Sequence, residues 1–414
     1  MTHPTEADAT NASALPLSGI IIADFSRVLA GPLASMTLAD LGARVIKVER
    51  PGTGDDTRSW GPPFPEARPR ATSTESAGTT GSTYFDSVNR NKESVCLDLS
   101  DPADLEVARE LASRADVVIE NFKPGGMDKL GLGYEQLRAT NPGLVYASIS
   151  GFGTTGGREL PGYDFMVQAL GGLMSITGDA DGSPMKVGVA IVDIITAKDA
   201  TIGILAALTA RNTAGSGFGL GCQLEVNLLS SLQGALANQG QAYLGAGVLP
   251  TRMGNAHPSI APYELVHCAD LPLAIACGND KQFRSILEVL GLGEFALDER
   301  FLTNPARVAN RDELVTILES RLTTAPAAQW QQALTRVGVP VGQVNTVAEG
   351  IVLAEALGLA PTIEVKDAAG QAVGTQFRNP ITWLPPLAPR VSAPPLLGEH
   401  TDSVRTWLAS GPER

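Results

Sequence analysis

Residues 20–49 read Ile20-Ile-Ile-Ala-Asp-Phe-Ser-Arg-Val-Leu-Ala-Gly-Pro-Leu-Ala-Ser-Met-Thr-Leu-Ala-Asp-Leu-Gly-Ala-Arg-Val-Ile-Lys-Val-Glu49. The apolar run Ile20–Phe25 is a strand. Gly31-Pro32 turns the chain and puts Pro where the first turn of a helix tolerates it. Helical spacing through Met36, Leu38 and Leu41 runs to a Gly42 stop, and Val45–Glu49 is the next strand, ended by Pro51. Strands separated by helical crossovers predict a parallel sheet with helices on both faces.

The alternation continues. Val95–Leu99 reads as a strand, Asp101-Pro102 opens a helix to Ser113, Asp116–Glu120 is a buried strand and Leu144–Ser150 another. The fold class is therefore α/β with a Rossmann-like open parallel sheet. The loop Gly52–Thr83, rich in Gly, Pro, Ser and Thr, is too long for a plain connection and reads as a surface or active-site excursion. Tyr163–Met174 and Ile194–Arg211 have helical spacing, the second ending in the polar, Gly-rich stretch Asn212–Gly221. Val226–Thr251 carries no charge, but Asn227, Gln233, Asn238, Gln239 and Gln241 are costly in hydrocarbon, so a buried or subunit-interface helix is expected rather than a membrane span. After Thr251 the character changes. Strands at Glu264–Cys268 and Leu273–Cys277 precede helices at Lys281–Leu290, Arg311–Thr323 and Ala327–Val337, a smaller α+β unit. A short helix (Val347–Leu357), a strand (Ile363–Lys366), a Pro-rich tail and a final helix (Asp402–Ala409) follow. The expected division is 1–225 for the large domain, 226–251 for a linker helix, 252–343 for the small domain, and 344–414 for the return to the large one.

Composition removes several function classes. The 414 residues carry 31 Lys and Arg against 44 Asp and Glu, a formal charge of −13, which repels a phosphate backbone, and there is no basic run to override it. With 43% hydrophobic and 18% charged residues the chain can build a large core. Cys96, Cys222, Cys268 and Cys277 lack ligand or disulfide-framework spacing, and only 4 His are present, so no metal is indicated. Met1–Leu15, with Glu6 and Asp8 but no Lys or Arg, reads as neither a signal nor a transit peptide, and a cytoplasmic protein is expected.

Several residues are candidates for chemistry. Gly151-Phe-Gly-Thr-Thr-Gly156 fits a dinucleotide fingerprint by spacing, yet Gly157 to Pro161 do not open a helix, so a backbone turn is the better reading. Asp193 is an acid inside the apolar run Val187–Ile195. It reads as the N-cap of the following helix, and equally as a carboxylate held ionised by that helix's dipole for attack on a thioester; one residue can do both. Asp164, after Tyr163, reads as a cap beside a packed tyrosine. Arg50, Asn91-Lys92, Lys123 and Lys129 follow strands or turns, where open α/β sheets bind ligands, and imply an anionic, phosphate-bearing one. His257 reads as a loop residue.

Asp24–Pro32, Ala39–Gly52, Asn89-Arg-Asn-Lys92, Val118–Gly125, Pro161-Gly-Tyr-Asp-Phe165, Gly203–Leu208 and Pro395-Leu-Leu-Gly-Glu-His-Thr-Asp402 together resemble the class III coenzyme A transferases, a family that includes formyl-CoA and carnitine CoA-transferases and 2-methylacyl-CoA racemases. The blocks are long, ordered and span almost the whole chain. The resemblance implies a large α/β domain built from both chain ends, an inserted small domain and an interlocked homodimer. It places the catalytic aspartate on Asp193. It places coenzyme A contacts at Leu29, Ala30, Arg50, Leu97, Asp98, Leu99, Ser100, Asn121, Phe122, Lys123, Lys129, Pro161, Gly162, Tyr163 and Asp164. Leu29 stands where formyl-CoA transferases carry glutamine, which argues against formate or oxalate handling. Tyr163 stands where the racemase branch carries histidine, and a phenol of pKa about 10 is a poor base at neutral pH.

Gly172–Gly178, Met185–Val189 and Arg252–Pro258 look most like transferases moving coenzyme A between dicarboxylic acids such as succinate and glutarate. The expectation is thus a CoA-transferase acting through aspartyl anhydride and aspartyl-CoA intermediates. Acyl-CoA and a carboxylic acid are its substrates, with no permanently bound cofactor and no nucleic-acid or membrane partner. Arg252 and Asn255 are the candidates for the acceptor's free carboxylate. The rival readings are a 2-methylacyl-CoA racemase and a non-catalytic CoA-binding protein.

Overall fold

The computed structural model describes residues 15–65, 81–215 and 218–411. Outside them lie the leader reading at 1–14, residues 66–80 of the Gly52–Thr83 loop, and 216–217 of the Gly-rich stretch. The chain divides into two units. The first runs to Gly171, resumes over Gly188–Gly240 and returns from Ala360 onward; the second takes Gly172–Val187 and Gln241–Leu359.

The first unit is built on six parallel strands, β1 (Ile21–Asp24), β2 (Arg44–Glu49), β3 (Lys92–Cys96), β4 (Val117–Glu120), β5 (Val145–Ser150) and β6 (Cys222–Asn227), in the order β3-β2-β1-β4-β5-β6. β1 is central, with Ala23 opposite Ile46 on one side and Val118 on the other. Its apolar run is continuous because helices cover both faces. The crossovers and flanks are α1 (Ala30–Asp40), α2 (Thr83–Asp86), α3 (Pro102–Arg114), α4 (Gly126–Lys129), α5 (Tyr134–Arg138) and α6 (Asp164–Leu170). α3 begins as its sequence dictates: Asp101 accepts from the Ala103 and Asp104 N–H groups, and Pro102 fills the first turn.

In the second unit, α7 (Leu173–Ile176) is cut off from α6 by Gly171 and Gly172, so Tyr163–Met174 is not one helix. Back in the first unit, α8 (Ile191–Asn212) and α9 (Leu228–Ala235) pack together. The uncharged stretch is not a single buried helix. It contains the end of β6, then α9, then α10 (Ala237–Ala246), with a break at Ala237 where φ is 44°. α9 buries Leu228 and Leu232, whereas α10 buries nothing within its own chain and leaves Leu244 79% exposed.

The second unit carries a three-stranded antiparallel sheet, β7 (Tyr263–His267), β8 (Pro272–Ala276) and β9 (Val341–Gln343), under α11 (Asp280–Leu290), α12 (Asn304–Ala309), α13 (Arg311–Leu322) and α14 (Ala327–Arg336), with α15 (Val347–Ala356) after them. The expected 1–225 and 252–343 boundaries shift for a local reason. The backbone of Gly254 donates to the Gly178 carbonyl at 3.0 Å and Arg252 Nε donates to the Asp179 carbonyl at 3.3 Å, so residues 172–187 fold with this unit. The chain then returns to the first unit with the hairpin β10 (Thr362–Lys366) and β11 (Ala372–Phe377) and with α16 (Thr401–Ala409), whose Val404 and Leu408 join the core of Ala23, Ile46, Val118 and Tyr146.

Candidate active site

In an open parallel sheet, ligands bind beyond the carboxyl ends of the strands where the strand order reverses. Here β1 and β4 are that point, and a cleft of about 670 Å³ opens over the ends of β1 to β4. Arg50, Leu97, Asp98, Leu99, Ser100, Phe122 and Lys123 line it. Of these, Arg50 and Lys123 are exposed cations suited to phosphate. Other expected contacts lie differently. Asn121 spends its amide on the protein itself: Oδ1 accepts from the Arg27 N–H at 3.0 Å and Nδ2 donates to the Arg27 carbonyl at 2.7 Å. It thereby fixes the β1–α1 turn. Leu29 and Ala30 are buried at the start of α1, and Lys129 is exposed at the end of α4 without lining the cleft.

Beneath the cleft lies a set of buried charges. Lys47 Nζ meets Asp55 Oδ2 at 2.8 Å and donates to the Ser26 carbonyl at 2.8 Å; Lys92 Nζ meets Asp24 Oδ2 at 3.2 Å. Lys92 therefore faces inward from the start of β3, not toward a ligand, which corrects its place among the ligand-facing cations. Burial opposes ionisation of Asp55, but Lys47 and the Thr57 hydrogen bonds hold its carboxyl below the usual range. Asp55 also accepts from the Val28 N–H, at 3.2 Å for its Oδ2. Val28 has φ of 71°, a costly conformation for a β-branched residue, so the carboxylate holds a strained turn directly before Leu29 and Ala30.

Asp193 is not the N-cap of α8. That position is Ala190, which has no capping side chain, and Asp193 sits in the first turn. The cap comes from another helix: Asp164 Oδ2 accepts from Val192 N–H at 2.7 Å and from Asp193 N–H at 3.3 Å, while its Oδ1 accepts from Gln168 Nε2 at 2.6 Å. Tyr163 is 58% exposed and not packed. Nor is Asp193 held firmly ionised by the dipole. Burial, and then the neighbouring Asp164, push its carboxyl up to about 7. Burial pushes the Tyr84 phenol up to about 12, with Asp193, Asp164 and Asp55 adding to it, which sets Tyr84 in the field of Asp193 and of a cleft wall at once. Trp60 packs edge-on against Tyr84, ring centroids 5.3 Å apart. Neither stands out in the sequence; the one signal was the length of the loop that holds Trp60 and ends at Tyr84's helix.

The glycines of the Gly151 motif serve a close approach, not a nucleotide. A Cβ on Gly151 or on Gly162 would lie 2.3 Å from the other's Cα, so only glycine lets the end of β5 pass the Pro161–Asp164 segment. Gly162→Ala is expected to cost about 1–3 kcal/mol by forcing backbone apart. It is also expected to draw Asp164 away from α8, and a lowered urea midpoint checks the loss.

The model of CoA-transferase family III matches residues 17–401. The chain belongs to that family. It is 43% identical to the succinate–glutarate CoA-transferase of Agrobacterium fabrum over 95% of this chain and 96% of that one. It is 42% identical to the acetyl-CoA:oxalate CoA-transferase of Acetobacter aceti over 81% and 82%. The crystal structure of a CAIB/BAIF family protein from Brucella suis superposes with a TM-score of 0.82 at 43% identity, covering 96% of this chain and 100% of that one.

In the second unit of this CoA-transferase, Arg252 engages the Asp179 carbonyl and Asn255 is exposed. The His257 ring packs at a 53° tilt against Tyr263, centroids 5.2 Å apart, and its Nδ1 accepts the Ser259 N–H at 3.0 Å, a loop role. Among the described residues no three His, Cys, Asp or Glu side chains converge as a metal site, and no helix is long and apolar enough to cross a membrane.

Proposed function

We propose that this CoA-transferase moves coenzyme A from an acyl-CoA donor, succinyl-CoA foremost, to a dicarboxylic acid through Asp193. The observation that carries the reading is the half-buried Asp193 carboxylate in the first turn of α8, in the unit that holds the cleft, with its main chain held by the Asp164 carboxylate beside it. An Asp193 oxygen attacks the donor thioester carbonyl; the C–S bond breaks and CoA leaves as thiolate. The thiolate then attacks the Asp193 carbonyl, releasing the donor acid as carboxylate and leaving an aspartyl-CoA thioester. The acceptor carboxylate reverses both steps. Covalent intermediates split one hard exchange into easier ones, and each tetrahedral oxyanion calls for backbone N–H donors.

Both named relatives act on dicarboxylates, glutarate in one and oxalate in the other, and this common feature supports the acceptor class. Leu29 remains the argument against oxalate. Arg252 and Asn255 are proposed to hold the acceptor's free end, and Arg50, the Leu97–Ser100 turn and Lys123 the CoA phosphates and adenosine. Succinyl-CoA offered with acetate, oxalate, glutarate and longer dicarboxylates, read by mass spectrometry, should yield new thioesters from dicarboxylates. Hydrolysis alone, or transfer only to acetate, overturns the proposal.

With its carboxyl near 7, Asp193 is neutral and a poor nucleophile in acid. The value of kcat/KM is expected to rise about tenfold per pH unit below 7 and to level above it. A flat profile from pH 5 to 8 contradicts this.

We also propose an interlocked homodimer working in the cytoplasm. The exposed apolar side chains Leu244, Leu249, Val347 and Leu353 support the dimer, and four free cysteines fit a reducing compartment. Light scattering at the mass of a single chain rejects the dimer.

A further inference from the structure

We infer that Asp164 is a positioning residue: it caps α8 from outside the helix and, as a second carboxylate beside Asp193, favours the uncharged acyl and thioester forms of Asp193 over its free carboxylate. This rests on the covalent role proposed for Asp193.

The geometry has two parts. A helix start presents unpaired N–H groups, and Ala190 offers no side chain to meet them. One oxygen of Asp164 meets the N–H groups of both Val192 and Asp193, and its other oxygen is pinned by Gln168, which is itself fully buried. The nucleophile's main chain is thus bolted to α6. These two N–H groups are consumed as well, so an oxyanion formed at Asp193 draws its donors from elsewhere.

The second part is charge. Two carboxylates at one helix end repel. When the Asp193 oxygen attacks, its negative charge departs with the CoA thiolate; in the next step it departs with the donor acid. Each covalent form therefore leaves Asp164 facing a neutral group, and the repulsion that burdens the free enzyme is relieved. The groups acting at Asp193 are consistent with this. Burial and Asp164 shift its carboxyl, and its charge is in turn felt at the Tyr84 phenol of α2. Of the other elements packed on α8, α1 carries only Asp40, bonded to Arg90, α9 and β5 carry no charge, and β6 carries Glu225, bonded to Thr154.

The test is Asp164→Asn in the full-length enzyme. Its carbonyl oxygen can still cap Val192, but the charge is gone. The acid limb of the pH profile is expected to move down by roughly one unit and kcat to fall about tenfold, with KM for succinyl-CoA within about twofold. The fraction of Asp193 trapped as hydroxamate at steady state should fall in parallel. Asp164→Ser, which removes the charge and, one bond shorter, most of the cap as well, must show the same displaced limb and serves as the second charge-free variant. A limb and trapped fraction equal to wild type in both variants overturns the inference. If Asp193→Ala still transfers CoA, the covalent role itself fails; if that variant is dead while the Asp164 variants keep the wild-type limb, only the inference falls.

Discussion

Asp193→Ala is expected to lower kcat for CoA transfer by roughly a thousandfold or more, the scale seen when a covalent nucleophile is removed, while leaving affinity for coenzyme A within a few fold. The separation follows from where the parts lie. The phosphates and adenosine are proposed to sit over the ends of β2, β3 and β4, on Arg50, the Leu97–Ser100 turn and Lys123, whereas Asp193 begins α8 and is absent from the walls of that cleft. Removing its carboxylate deletes the atom that becomes acylated without touching the anion-binding groups. Calorimetry with coenzyme A and steady-state kinetics read the two halves. Hydroxylamine should convert Asp193 to a hydroxamate during turnover in wild type only. A variant with more than a tenth of wild-type kcat, or a wild-type enzyme whose Asp193 is never modified, rules out the covalent path.

Lys47→Met should destabilise the first unit by about 3–5 kcal/mol, the usual cost of leaving a buried charge without its partner. Lys47 is 1% exposed, pairs with Asp55 and donates to the Ser26 carbonyl; its loss leaves Asp55 and Asp24 with one fewer cation in a dry interior. The sign of the pH dependence follows. With Lys47 gone, burial drives the Asp55 carboxyl above its unfolded value near 4. The deficit is then complete at neutral pH and shrinks as acid protonates Asp55, vanishing below the unfolded value. Urea unfolding at pH 7.5 and pH 5 measures this. Lys47→Met with Asp55→Asn should recover most of the loss, because neither charge then remains. KM for acyl-CoA should still be altered in the double variant, since Val28 loses the carboxylate that holds its turn. An equal deficit at both pH values contradicts the account.

The sheet was readable in the residues because its central strands are buried on both faces and announce themselves as apolar runs. β1, β2, β4 and β5 fall within a residue or so of the expected spans. The edges were harder. β6 alternates Leu224 and Val226 with Gln223 and Glu225 in a half-exposed edge strand, and its pattern dissolves into the polar stretch before it. β9 is three residues long, and β11 buries none of its residues, so its apolar members Ala372, Val373 and Phe377 mark no core face. At the site, the family blocks pointed to Asp193, but the neighbours that set its properties are tertiary. No local signal says that Asp164 caps a helix 28 residues downstream, or that Tyr84 comes to share its field. The N-cap reading failed for that reason: Asp193 has the right residue type near the right place, and the capping bond is supplied across the fold.

The last helix has a consequence for how the molecule is made. Thr401 receives the Cys96 N–H at 3.0 Å, Arg114 reaches the Leu408 carbonyl at 2.5 Å, and Val404 is sealed among the strands' side chains. These contacts arrive only after the ribosome has translated the entire inserted unit. Until then the apolar surface beside β3 that Val404 and Leu408 will cover stays open to water, the kind of surface through which an unfinished chain sticks to others.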